Sequence, residues 1–148
     1  MTDSLESIAR QLEASPDYRV LRRFVPPSRY HEGDGSPTAT GVVVDVETTG
    51  LDPSRDKIIE FCGVPFEFER ESGRILAVGA AVSYLEDPGR PIPAEVVKLT
   101  GITDAMVAGK RIDEAAAGSL MAEAGLVIAH NAAFDRPFVD RRLASSRD

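Results

Sequence analysis

The spacing of apolar positions changes several times along the chain, and each change predicts an element. Leu5, Ile8, Ala9 and Leu12 recur at helical intervals behind Ser4, with Glu6 in the first turn and Pro16 beyond the end. This predicts a short amphipathic helix capped by Ser4. Val20, Leu21, Phe24 and Val25 continue an apolar face up to Pro26 and Pro27, and residues 28–41 are rich in Gly, Ser, Thr, Asp and Pro, as a linker is. Residues 1–40 therefore read as an N-terminal helical arm with its linker, and 41–148 as one domain. The arm either packs on that domain, or is tethered to it, or is a separate partner-binding element.

From Gly41 the pattern becomes that of strands. The β-branched run through 41–47 reads as a buried strand that stops at the turn cluster 48–53. Residues 57–69 read as a second strand, 70–73 as a turn, and 74–85 as a third strand. The short turn predicts an antiparallel meander. A helical segment near 94–99, a loop at 100–103 and an Ala-rich helix over 112–124 follow. Leu126, Val127, Ile128 and Ala129, bounded by Gly125 and His130, read as a short buried strand, and the chain is helical from Asn131 to Arg142. Strands, helices, a strand and a helix make an α/β domain with a mixed sheet.

At 148 residues the chain suits one domain and can bury a core without a disulfide or a metal staple. Its single cysteine, Cys62, lies in an apolar stretch and is expected to act as a small buried hydrophobe. A net charge of −7 excludes a general cationic field for nucleic acid or anionic membrane, so a polyanion would have to be held with the help of metal ions. The first forty residues contain five Arg and six acids, so nearly all the negative charge lies downstream. No apolar run approaches the ~20 residues of a membrane span. The polar start Met1-Thr2-Asp3-Ser4 has no signal-peptide character, so the cytoplasm is the expected compartment.

Asp45 and Glu47 interrupt this apolar pattern. Two residues apart in a strand, they point to one face while Val44 and Val46 point to the other. Two acids beside an apolar interior repel each other and call for hydrogen-bond donors or a cation, and hard oxygen ligands suit magnesium or manganese. The alternative is that the strand ends there and both acids reach solvent. Asp135, in the run His130-Asn131-Ala132-Ala133-Phe134-Asp135 after the second buried strand, is placed to join them, since functional groups gather beyond strand ends. Asn131 or Asp135 could instead cap the following helix, Asp135 being favoured by Pro137 close behind it, and His130 could be a strand-end imidazole satisfied by backbone.

Taken together, 43–52 (Val-Val-Asp-Val-Glu-Thr-Thr-Gly-Leu-Asp) and 127–135 (Val-Ile-Ala-His-Asn-Ala-Ala-Phe-Asp) resemble the first and second exonuclease motifs of the DEDD superfamily of 3′–5′ exonucleases. The relatives suggested are the proofreading epsilon subunit of bacterial DNA polymerase III and its ribonuclease T-like kin. Ile92-Pro93-Ala94-Glu95 and 99–107 resemble the segment that precedes the second motif and approaches substrate. The resemblance implies a ribonuclease H-like fold with two divalent ions, Mg2+ or Mn2+, held by Asp45, Glu47 and Asp135 as catalytic and metal-binding carboxylates. It implies that Thr48, Thr49, Gly50 and Leu51, with His130, Asn131 and Phe134, contact the terminal nucleotide of single-stranded DNA or RNA, and that a DNA polymerase subunit is a candidate partner.

The sequence departs from the family pattern at its end. A third motif, on a later helix, should supply a fourth carboxylate and a histidine general base, but the sequence stops at Ser145-Ser146-Arg147-Asp148. His130 belongs to the second motif, His31 lies in the linker, and Asp140 and Asp148 do not fit the missing role by spacing. The expectation is a fold lacking its C-terminal part, in a fragment or a short product. Its phosphodiester hydrolysis would be impaired, or the domain would bind nucleic acid or a partner without hydrolysis.

Overall fold

The computed structural model describes residues 4–143. The first three residues, and the tail with Ser145, Ser146, Arg147 and Asp148, lie outside it. Helix α1 (Leu5–Glu13) forms as expected, with Ser4 Oγ accepting from Ser7 N–H. It buries no residue, and Arg22 bonds both Glu6 and Glu13. The apolar run at 20–25 adopts no regular structure. The stretch read as a linker is partly sheet. Arg29 bridges Ala77, Tyr30 N–H donates to the Leu76 carbonyl at 2.7 Å, and the first strand starts at Thr38 rather than Gly41.

Strands β1 (Thr38–Thr48) and β2 (Ile58–Glu69) pair antiparallel along almost their whole length. The expected third strand is two, β3 (Ile75–Val78) and β4 (Val82–Leu85), both antiparallel to β2. The register explains the break. Phe66 faces Val78 and Gly63 faces Val82, so two residues of β2, Val64 and Pro65, oppose the three residues 79–81 between β3 and β4. Pro65 has no N–H to donate, and its carbonyl accepts from Gly79 at the kink.

Helices α2 (Ala94–Thr100), α3 (Asp104–Val107) and α4 (Glu114–Ala122) follow, then strand β5 (Leu126–Ile128) and helix α5 (Ala132–Arg142). β5 runs parallel to β1, giving the order β3-β2-β1-β5 with β4 also on β2. This is the expected mixed sheet. β5, however, is not buried. Its three residues are 41–44% exposed, because it is the last strand on its side and only Gly41, Val42 and Val43 of β1 pair with it.

One face of the sheet makes the main core. Val42, Val44 and Val46 of β1 and Ile58 and Phe61 of β2 meet Ala117 of α4 and Phe138 and Val139 of α5. A smaller cluster of Ile59, Ile92, Ile102 and Val107 seats α2 and α3 against the start of β2. No helix among the described residues is long and apolar enough to cross a membrane.

Candidate active site

The alternation expected in β1 is what the chain adopts. Val44 and Val46 are buried in the main core, while Asp45 is exposed and Glu47 half-buried on the opposite face. The register adds two neighbours. Cys62 lies directly opposite Asp45, and Glu60 directly opposite Glu47. Two glutamates in facing positions of adjacent strands repel each other. Glu60 was not recognised from sequence because only the register brings it beside Glu47. Its Oε1 accepts from Ser83 Oγ at 2.7 Å. Cys62 is half-buried, and burial pushes its thiol up, with the charges of Glu60 and Asp45 adding to that.

Among the described residues, no strand pairs with β1 on its β5 side beyond Val43, so its backbone edge is free there. Helix α5 fills that position with one side chain. Asp135, 3% exposed, accepts a hydrogen bond from Val46 N–H through Oδ1 at 3.3 Å. Asp135 is therefore not the cap of α5. That position belongs to Asn131, whose side chain makes no capping bond, and Pro137 sits well inside the helix.

Burial raises the Glu47 carboxyl above its ordinary range, and the charges of Asp45 and Glu60 raise it further. Burial likewise raises Asp135 against the lowering effect of the Val46 N–H, with the charge of Asp45 adding to the rise. Asp45 is thus the common negative neighbour of both. Two raised carboxyls with Asp45 as their shared negative neighbour fit a hard divalent cation by charge and donor type. Their spacing is looser than a ligand cage: among the described residues, no three His, Cys, Asp or Glu side chains are grouped closely enough to hold an ion.

The turn after β1 is tightly tied. Thr48 and Thr49 are buried, Thr48 Oγ1 donates to the Gly50 carbonyl at 2.6 Å, and Thr49 N–H donates to the Lys57 carbonyl at 2.8 Å. Leu51 projects, 83% exposed. On the other side, His130 and Asn131 are exposed in the connection from β5 to α5. Phe134 is half-buried and packs against Phe138 at 5.1 Å with the rings tilted by 50°, at the margin of the main core.

Residues 42–145 match the exonuclease family RNase_T. The chain belongs to this family. A DNA polymerase III of PolC type from Listeria welshimeri is 39% identical over 108 residues, covering 72% of this chain and 7% of that polymerase. A DNA polymerase III subunit epsilon-like protein from Rhodobacter capsulatus is 39% identical over 112 residues, 70% of this chain and 14% of that protein. Among solved structures, E. coli exonuclease I in complex with a dT13 oligonucleotide superimposes with a TM-score of 0.57 at 22% identity, over 73% of this chain and 24% of that one. The mixed sheet flanked by helices is thus the fold of the part of exonuclease I on which it superimposes, ribonuclease H-like as expected. The chain spans less than a tenth of the PolC-type polymerases and about a quarter of exonuclease I.

Proposed function

We propose that this domain hydrolyses phosphodiester bonds at the 3′ end of single-stranded DNA or RNA. Asp45, Glu47 and Asp135 are the catalytic carboxylates in this reading and hold divalent magnesium or manganese. The observation behind it is that Asp135, distant in sequence, reaches the free edge of β1 beside the two acids of that strand. Such ions, when bound, polarise a phosphoryl oxygen and acidify water.

The chain's own residues bind and orient. The carboxylates concentrate negative charge that only a cation relieves, which is how an acidic protein can accept a polyanion. The turn 48–51 receives the terminal nucleotide through its backbone and the exposed Leu51, with His130, Asn131 and Phe134 on the far side. The oligonucleotide bound by exonuclease I favours a single-stranded substrate, and the two polymerase relatives favour a polymerase subunit as partner.

A binding module without hydrolysis is the second reading, and the loose spacing of the three carboxylates favours it. End-labelled single-stranded DNA and RNA oligonucleotides with the purified chain and manganese separate the two. Release of mononucleotides that is lost in Asp45→Asn supports the first reading. Retention without release supports the second, and neither retention nor release removes both.

A further inference from the structure

Arg90 lies outside both carboxylate motifs, in the connection between β4 and α2, yet its guanidinium ends on the turn after β1. Its Nη2 donates to Thr49 Oγ1 and to Asp56 Oδ1, both at 2.8 Å. The same Thr49 oxygen accepts from Lys57 N–H at 3.1 Å, and the other oxygen of Asp56 accepts from Asp52 N–H at 2.9 Å. Thr49 Oγ1 also donates weakly to Asp56 Oδ1 at 3.4 Å, so the arginine reinforces, with two shorter bonds, a ring that runs through Thr49, Asp52, Asp56 and Lys57 and encloses Gly50 and Leu51.

The ring has little slack. A Cβ on Gly50 would overlap Asp56 Oδ2, so the carboxylate rests directly against the turn backbone. Arg90 is itself anchored from behind. Ile92 N–H donates to Asp104 at 2.8 Å, and Asp87 accepts from Gly89 and Gly109 N–H at 2.8 and 2.9 Å. Glu86, at the start of the same connection, accepts from Arg142 of α5 at 2.7 Å. The connection therefore joins the helix bearing Asp135 to the turn that follows Asp45 and Glu47.

We propose that Arg90 is a positioning residue that fixes the turn 48–51 in the conformation that receives a nucleotide, through Thr49 and Asp56 rather than by contact with the carboxylates. This rests on the nucleotide-binding role of that turn. A charge-assisted, two-acceptor bond holds a turn more firmly than a neutral one, and small displacements of a positioning group weaken binding steeply.

The test compares wild type, Arg90→Gln, Arg90→Lys and Asp56→Asn in the full 148-residue chain, with thymidine 5′-monophosphate and Mn2+ as probes. Amide hydrogen exchange reads the turn directly. At Asp52 and Lys57 it should quicken at least tenfold in Arg90→Gln and Asp56→Asn, while the β1–β2 ladder amides keep their rates. Nucleotide affinity should fall about tenfold in Arg90→Gln and recover in part in Arg90→Lys, with Mn2+ affinity unchanged within twofold, an effect that general loosening of the fold cannot produce. Unchanged exchange at Asp52 and Lys57 in a folded Arg90→Gln overturns the proposal, and so does an equal loss of nucleotide and Mn2+ affinity. If wild type binds no nucleotide, the nucleotide role of the turn fails, and the exchange rates still decide whether Arg90 fixes it.

Discussion

Asp135 accepts from the backbone N–H of Val46, a residue 89 positions earlier, at 3.3 Å. This single bond satisfies an N–H that β5 is too short to reach and brings the second acidic motif to the strand of the first. It separates two effects of the side chain, its acceptor and its charge. Asp135→Ala removes both and leaves the Val46 N–H without its partner, at a cost of about 1–3 kcal/mol. Asp135→Asn keeps an acceptor and removes a buried charge beside Asp45, so without metal at neutral pH it should match or exceed wild type in stability. Urea denaturation of both variants in EDTA checks this, and a less stable Asn variant than Ala variant would contradict it.

The carboxyl shifts set the pH dependence of stability. Glu47 and Asp135 are raised, chiefly by burial, so the stability they contribute is full below their unfolded values and is lost as pH rises through the raised ones. Asp52, Asp56 and Asp87 are lowered, first by Ser54, by Asp52 N–H and by Gly109 N–H respectively. Their contribution is present above the ordinary aspartate value, about 4, and is lost as pH falls through the lowered ones. Metal-free stability should therefore peak on the acid side of neutrality. Denaturation midpoints from pH 3 to 8 in EDTA read the curve, and a monotonic rise to pH 8 would refute the assignment.

Replacing the two acids of β1 together tests their joint role. Asp45→Asn with Glu47→Gln removes like charges that repel each other and Glu60, so the metal-free protein should be as stable as wild type or more so. The same double variant should lose most of its Mn2+ affinity, and with it any stabilisation by the ion. Calorimetry showing equal Mn2+ affinity in the two proteins would remove the metal role of this pair. Binding to wild type should also release protons, because the ion favours the ionised form of the raised carboxyls.

The alternation of Val44, Asp45, Val46 and Glu47 made the strand, its faces and the acidic pair legible in the sequence, since a two-residue period fixes side-chain direction without tertiary information. Glu60 and Arg90 escaped because their roles depend on pairing. Glu60 matters only through a register opposite Glu47, and Arg90 only through a loop that folds back 41 residues onto Thr49. The exposure of β5 was misread for a related reason. The four-residue apolar run 126–129 looks buried in sequence, whereas burial depends on which strand lies beyond it. The split of β3 from β4 was foreshadowed by Pro65, but Pro65 lies on the partner strand rather than on the one that breaks.

Arg142 ties three elements together. Its Nε donates to Glu86 at 2.7 Å and its Nη1 to Glu114 at 2.6 Å, from a largely buried side chain at the end of α5. Exposed ion pairs contribute little, but the bond to Glu86 is shielded, while Glu114 stands 43% exposed. Arg142→Met should cost about 1–3 kcal/mol, between the values for exposed and buried pairs. Raising salt should shrink the difference only slightly, as measured by denaturation at low and high ionic strength. A neutral effect would mean that apolar packing alone holds α5.

Gly50 offers the sharpest steric test. Its φ is not positive, so alanine meets no backbone penalty there, and the effect of Gly50→Ala must come from contact. The new Cβ would overlap Asp56 Oδ2 and lie 2.8 Å from Oδ1. A flexible carboxylate could normally swing aside, but this one is engaged by Arg90, Thr49 and the Asp52 N–H. To relieve the clash it must give up at least one of these bonds or push the turn away. Overpacking of this kind costs about 1–3 kcal/mol. Asp56→Ala alone removes the hydrogen bonds and should also destabilise, yet in the double variant the clash is gone. The two changes should therefore combine to less than their sum, a coupling expected of residues in contact. Denaturation of wild type, both single variants and the double variant gives the cycle directly. Additive effects would show that Asp56 yields freely and that the turn is not held against it.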